Sequence, residues 1–422
     1  MALGVVAAGV PPETLSLQPD DPDMAFQQFV HPPDDARPWV YWYFMDGNLT
    51  REGMEADLAA MKRAGIGGAI YLEVGIGIPP GPVEFMSPSW QQLLGHAFSV
   101  ADQLGLQMAL AAGPGPYNMP PWNLNDTNIE QQDIYPSYAV TAEILQRMGI
   151  PSDFESDAPL RYIHRTEPGM EFYFIANGEP APCGATCRFR VTDLQPEWWD
   201  PLTGERHDLP QFSQIGSQTE IPLHLESLQS GFVVFRKPAT AASSPLAQNF
   251  PSLQTILTLN RPWVVAFDPH WGGPAKITFP QLEDWSRRPE PGIRNYSGKA
   301  TYTTTFDCAL PPGLRAYLSL GRVAVIASIK LNGADLGVLW CMPWRMAIPE
   351  NLLRPSNNTL QITVANLWVN RLIADSGLPA DQRLTWITGN PFHPQEPLLE
   401  SGLLGPVTIQ VGSPVQQPDP NH

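Results

Sequence analysis

Apolar and polar residues repeat with two different periods along this chain, and the change of period divides it. The run Trp39–Phe44 is continuously aromatic and β-branched, which predicts a strand buried on both faces. Beyond it Met54, Leu58 and Met61 recur at helical spacing, with Thr50 placed to cap the helix and Gly65 to stop it. Ala69–Val74 is the second predicted strand. Ser87 and Pro88 then open a helix whose apolar face is Leu93, Leu94, Ala97, Val100, Ala101 and Leu104, and Gly105 ends it before a third strand, Gln107–Ala111. Strands starting near residues 39, 69 and 107 fit the roughly 30-residue period of a (β/α)8 barrel, so this part reads as the start of a barrel or of an open α/β sheet.

From Gly113 that rhythm stops. Residues 113–157 hold one further predicted helix, Val140–Met148 with Gly149 as its stop, whereas five more βα units need roughly 150 residues. The barrel is not expected to close. The period then becomes two, with strands at Arg161–His164, Glu171–Ala176, Thr186–Val191 and Gly231–Phe235. Pro238–Pro251, rich in Pro, Ser and Ala, reads as a linker. Alternation resumes at Trp263–Phe267, Ala300–Phe306, Tyr317–Leu320, Ala327–Leu331, Asn358–Val364 and Val407–Val411. Asn332-Gly333 is a two-residue hairpin signal, because both central positions need positive φ.

The expected fold class is therefore multi-domain, α/β plus all-β: a partial barrel over 36–125, a connecting segment with one helix over 126–158, a β-sandwich module over 159–237, a linker over 238–254, and a C-terminal jelly-roll β-sandwich over 255–413. A length of 422 residues suits several packed units. No apolar run approaches the roughly 20 residues of a membrane span. The net charge of −17 repels nucleic acid and anionic membranes, and a neutral partner such as a glycan fits better. Cys183, Cys187, Cys308 and Cys341 lack the paired spacing of a zinc site and read as buried thiols. The apolar stretch Ala2–Val10 has no basic flank, and it fits either the remnant of an export signal or a tail.

Several blocks resemble one enzyme family. Arg37-Pro-Trp-Val-Tyr-Trp-Tyr-Phe-Met-Asp-Gly-Asn-Leu-Thr, Asp57-Leu-Ala-Ala-Met-Lys-Arg-Ala-Gly-Ile-Gly-Gly and Phe85-Met-Ser-Pro-Ser-Trp are similar to the first barrel units of the α-L-rhamnosidases of glycoside hydrolase family 106. Leu160-Arg-Tyr-Ile-His-Arg, Glu197-Trp-Trp-Asp-Pro-Leu-Thr-Gly-Glu and Gly231-Phe-Val-Val-Phe-Arg resemble the β module that follows their barrel. Leu331-Asn-Gly-Ala-Asp-Leu-Gly-Val-Leu-Trp, Ala365-Asn-Leu-Trp-Val-Asn-Arg-Leu and Ser401-Gly-Leu-Leu-Gly-Pro-Val resemble their galactose-binding-like C-terminal domain, a module shared with family 2 enzymes. The resemblance implies inverting, calcium-assisted release of α-linked L-rhamnose from rhamnose-containing glycans by two carboxylic acids on later barrel strands, and a periplasmic or extracellular setting. It also implies that much of the barrel is missing between Gly113 and about Ile134, so no catalytic residue carries over. Nothing in the residues themselves calls for a metal.

Inversion needs one carboxyl to protonate the leaving oxygen and another to activate water, roughly 6.5–9.5 Å apart. Asp46 and Glu73 follow the first and second predicted strands, at the rim where barrel sites sit, and are the candidate pair. Against this, Asp46 precedes Gly47 and Asn48 and could shape a turn, and Glu73 could form a salt bridge or face solvent. Trp42, Asn48 and Trp122 are candidate sugar contacts, with core packing the alternative for Trp42. Trp340, Trp344, Arg345, Trp368, Asn370 and Arg371 form an aromatic and basic set around predicted strand ends, suited to a glycan or to packing between domains. Two functions stay open: a hydrolase whose site a second chain or a rearrangement completes, and a non-catalytic carbohydrate-binding or structural remnant or truncated gene product. Three parallel strands without neighbours would also expose edges that favour self-association.

Overall fold

The computed structural model describes residues 23–110 apart from 76, 152–250 apart from 240–247, and 252–412 apart from 388. They are mostly β-sheet with few helices and fall into two compact units, within residues 1–149 and 150–422.

The first unit begins with a short helix α1 (Met24–Val30) and then alternates β1 (Trp39–Met45), α2 (Arg51–Arg63), β2 (Gly68–Val74), α3 (Pro88–Leu104) and β3 (Gln107–Leu110). The strands form one parallel sheet in the order β1-β2-β3, in register from Trp39 opposite Gly68 and Gly68 opposite Gln107. The helix ends follow the expected chemistry. Thr50 Oγ1 accepts the Gly53 amide at 3.1 Å, Ser87 Oγ accepts the Trp90 amide at 3.2 Å, and Gly105 stops α3 in the left-handed region at φ 65°.

Both helices pack on one face of the sheet, where Trp42, Phe44, Met54, Leu58, Tyr71, Trp90 and Ala97 are buried together. Each large side chain so buried stabilises the unit by roughly 1.5–3 kcal/mol. The expectation that the first strand is buried on both faces is corrected. Tyr41 and Tyr43 on the other face are 63% and 51% exposed, because no described element lies over that side. The third strand ends at Leu110, and the expected helix Val140–Met148 lies outside the described residues.

The second unit contains two pairs of sheets, each around its own core, and a two-stranded ribbon of β18 (Val323–Ala324) and β23 (Gly402–Leu403). The first pair sets β4 (Phe154–Ser156), β7 (Cys183–Phe189), β11 (Gln218–Leu225) and β10 (Ser213–Ile215) beside β5 (Leu160–Glu167), β6 (Met170–Asn177), β12 (Ser230–Pro238), β8 (Leu194–Trp199) and β9 (Arg206–Asp208). Inward residues alternate along the strands: Tyr173 and Ile175, Val233 and Phe235, Ile221 and Leu223. Part of the expected linker is instead built into this module. Asn249 is buried, its Oδ1 accepts the Gln211 amide at 2.7 Å, and its Nδ2 donates to Pro222 O at 2.9 Å, while Phe250 packs edge-on against Trp198.

The second pair sets β13 (Gln254–Thr258), β24 (Thr408–Gly412), β17 (Arg315–Ser319) and β21 (Arg345–Ala347) beside β15 (Ile277–Phe279), β14 (Trp263–Phe267), β16 (Lys299–Phe306), β22 (Asn358–Ala365), β19 (Ile326–Leu331) and β20 (Ala334–Leu339). Trp263, Phe267, Phe279, Trp285 and Tyr302 fill its core, and Trp285 Nε1 donates to Tyr302 Oη at 2.5 Å. The hairpin signal holds: Asn332 and Gly333 take φ of 53° and 86° between Leu331 and Ala334, which face each other. Where strand ends were expected around Trp368, a helix runs from Val369 to Ser376. Arg371 and Asp375 pair across one helical turn at 3.1 Å, a spacing no strand can satisfy. All four thiols are free; Cys187 and Cys308 are buried, whereas Cys183 and Cys341 are only half-buried.

Candidate functional site

The two carboxylates named from the sequence do lie at the C-terminal end of the parallel sheet. Glu73 stands opposite Phe44 in the register, and the Asp46 amide donates to Val74 O at 2.8 Å just beyond it. Their surroundings decide their roles.

Asp46 adopts φ 49° and Gly47 φ 74°, so the chain turns sharply as it leaves β1. Gly47 is required there, since a Cβ would sit 2.2 Å from Val83 O. Asp46 Oδ2 accepts the Ile78 amide at 3.2 Å, and Asp46 O accepts the Gly81 amide at 2.7 Å. Asn48 Nδ2 donates to Met45 O at 2.9 Å and to Pro79 O at 3.1 Å. Asp46 and Asn48 therefore clamp the loop after β2 onto the turn after β1, which is the turn-shaping role.

Among the described residues Glu73 has no cation partner, and it does not face water, contrary to both structural alternatives read from the sequence. It is buried, and its Oε2 accepts from Tyr71 Oη and from Trp90 Nε1, each at 2.7 Å. Trp90 Nε1 also lies 3.0 Å from Tyr71 Oη. The three side chains fasten α3 to β2. Burial, together with the adjacent Glu73, pushes the Tyr71 hydroxyl far above its ordinary range, so it stays protonated and donates. A general acid must reach a substrate oxygen, and this carboxylate is committed to the packing instead.

Trp42 is core: it is 5% exposed, donates from Nε1 to Asp57 Oδ2 at 3.0 Å and meets Phe44 edge-on. Trp122 lies outside the described residues.

The C-terminal set does not act as one surface. Asn370 is a buried strut, exchanging 2.7 Å hydrogen bonds with the Leu399 amide and carbonyl, and Arg371 is buried against Asp375. Trp340 and Trp368 are exposed, and Trp368 meets Trp271 edge-on at 5.7 Å. Trp344 and Arg345 go elsewhere. They line a cavity of about 680 Å³ between the two sheet pairs, where Arg345 Nη1 lies 3.1 Å from Glu226 Oε1. Beyond Trp344 and Arg345 this cavity had no sequence signal, because its walls come from stretches around residues 226, 250, 344 and 410.

Among the described residues no group of three His, Cys, Asp or Glu side chains could hold a metal ion, so the calcium implied by the resemblance finds no such set there. Nor is any described helix long and apolar enough to cross a membrane.

With this geometry in place, similarity to known proteins gives the class. Residues 30–132 and 123–214 match the family model of the α-L-rhamnosidases. The rhamnosidase from Novosphingobium sp. PP1Y superposes with a TM-score of 0.59 at 29% identity, covering 88% of this chain and 33% of that one. A putative β-glucuronidase of Formosa agariphila is 34% identical over 192 residues, covering 39% of this chain and 16% of the relative. The chain thus spans about a third of the solved rhamnosidase and about a sixth of the curated relative. These likenesses are to glycoside hydrolases, and through residues 30–214, somewhat under half of the chain, it is similar to family 106, the α-L-rhamnosidases.

Proposed function

We propose that this chain is a rhamnosidase-type protein directed at rhamnose-containing glycans in which the catalytic barrel is incomplete, so that the chain by itself does not cleave them. On this reading the first unit is the opening of a (β/α)8 barrel, the first sheet pair is the β-sandwich module that follows the barrel, and the last pair is a galactose-binding-like jelly roll.

The observation that carries the proposal is the fate of Glu73, whose carboxylate is taken up by Tyr71 and Trp90 in the packing of α3 on β2. Asp46 is likewise engaged by the loop after β2. An inverting mechanism needs an acid and a base facing each other across a sugar. The half-covered sheet supports the same view, since parallel sheets ordinarily bury both faces and Tyr41 and Tyr43 stand exposed. So does the family model, which matches in two segments meeting at 123–132 rather than in one.

The test is hydrolysis of p-nitrophenyl α-L-rhamnopyranoside by the full chain. No release above the uncatalysed rate is expected. Turnover that disappears in Asp46→Asn and Glu73→Gln, with folding intact, would overturn the proposal.

A further inference from the structure

We infer that the two sheet pairs of the second unit meet at an ionic hinge, held by Glu205 with Arg315 and Glu226 with Arg345, and opened by salt. The hinge concerns this unit alone and is independent of the proposed function.

Each sheet pair closes around its own apolar core, and among the described residues no strand of one pairs with a strand of the other. The covalent link is short: Phe250 still packs on Trp198 of the first pair, and β13 of the second begins at Gln254. Between them lie the half-open cavity of about 680 Å³ and a recess of about 160 Å³, each walled by both pairs. Modules that share no large apolar interface ordinarily move against each other, so whatever bridges this gap sets their arrangement.

Alternation along β17 places the bridging charges. Ala316 and Leu318 are buried in the second core, so Arg315, Tyr317 and Ser319 face outward. Arg345, at the start of β21, stands opposite Ser319. The two arginines are therefore separated by the span from 315 to 319, roughly 13 Å of strand. Across the gap Arg315 donates to Glu205, just before β9, from Nη1 at 3.4 Å and also from Nη2, while Arg345 Nη1 donates to Glu226, just after β11, at 3.1 Å. One pair alone would let the modules pivot about it. Two pairs set apart along a strand fix an orientation.

The second pair lines the gap with Arg315 and Arg345 and with no carboxylate, whereas the first contributes Asp200, Glu205 and Glu226. Arg206, His207 and His224 of the first pair also line it, so the attraction rests on the two direct contacts rather than on a field of one sign. All four paired side chains are between 24% and 46% exposed, within reach of dissolved ions.

The experiment is hydroxyl-radical footprinting of the full chain, read by mass spectrometry. The reporters are Tyr317 and Phe250, which line the gap, and the controls are Tyr302 and Phe235, buried in the two cores. Raising sodium chloride from about 0.1 M to about 1 M shortens the screening length from about 10 Å to about 3 Å. Oxidation of Tyr317 and Phe250 is expected to rise about threefold or more, with Tyr302 and Phe235 level. Glu205→Lys with Glu226→Lys should give the same rise at low salt. Adding Arg315→Glu and Arg345→Glu, which restores both pairs with their signs exchanged, should reverse it, a rescue that simple loss of packing would not give. Should a variant unfold, its controls would be oxidised as well, and the salt series on the unaltered chain decides. Unchanged oxidation of Tyr317 and Phe250 at high salt, or a rise in a folded variant that the exchanged pairs do not reverse, would overturn the inference.

Discussion

Glu73 shows how the same residue reads differently in sequence and in space. At the end of a parallel strand it has the position of a catalytic acid, yet Tyr71 Oη and Trp90 Nε1 both donate to it inside the core. Trp90 lies 17 residues away on α3, so nothing local announces the contact. Glu73→Gln is expected to lower stability by roughly 1–3 kcal/mol, the usual effect of weakening hydrogen bonds to a buried acceptor. Urea unfolding measures it; an unchanged midpoint would contradict the structural role.

Cys187 makes a pH prediction at the same scale. Burial pushes its thiol up to about 12, while an unfolded chain's thiol titrates near ~8.5. Between those values the unfolded chain gives up a proton that the folded protein keeps, so stability falls as pH rises. Below that window the contribution is constant. For this group the slope is at most about 1.4 kcal/mol per pH unit, and buried Tyr71, Tyr173 and Tyr302, also raised mainly by burial, add to it above about pH 10. Urea midpoints should therefore decline from pH 8 to pH 10, and less steeply in Cys187→Ala. Equal slopes would show that the thiol is not protected.

At the scale of elements, patterning was most informative where a single local rule decides the outcome. The α2 and α3 caps, the three parallel strands and the Asn332-Gly333 turn follow from residues adjacent in sequence. Reading failed where tertiary packing decides. The continuous apolar run of β1 gives no sign that one face is uncovered, and Asn249 in a polar stretch gives no sign that it bridges Gln211 and Pro222. The helix at Val369 had a local signal in the i, i+4 spacing of Arg371 and Asp375.

The ion pair in β8 and β12 belongs to this scale as well. Glu197 is fully buried and meets Arg236 Nε at 2.8 Å and Lys237 Nζ at 3.1 Å. Burial alone would raise the Glu197 carboxyl, but Arg236, with help from Trp199 and Lys237, outweighs it and holds the group below its ordinary value. Arg236→Ala leaves a buried charge short of its main partner and should cost about 3–5 kcal/mol, read from the shift in denaturant midpoint. A loss below about 1 kcal/mol would mean that water reaches Glu197 once the arginine is gone.

For the whole molecule, the β unit holds a half-open cavity between its sheet pairs, whereas the α/β unit has a sheet with one covered face and two carboxylates that accept hydrogen bonds within it. The proposed function assigns recognition to the β modules and no cleavage to the α/β unit. Completion by a second chain remains open to the open edges of that sheet, where β1 and β3 each pair only with β2 among the described residues.

Hydrogen exchange, followed by mass spectrometry on peptides from residues 39–110 of the full chain, tests that openness most directly. An incomplete ring predicts slow exchange in β2 and exchange at least tenfold faster at the outward amides of β1 and β3, which lack strand partners. Equal, strong protection of all three strands would mean that the ring is closed, and the catalytic reading would then have to be restored.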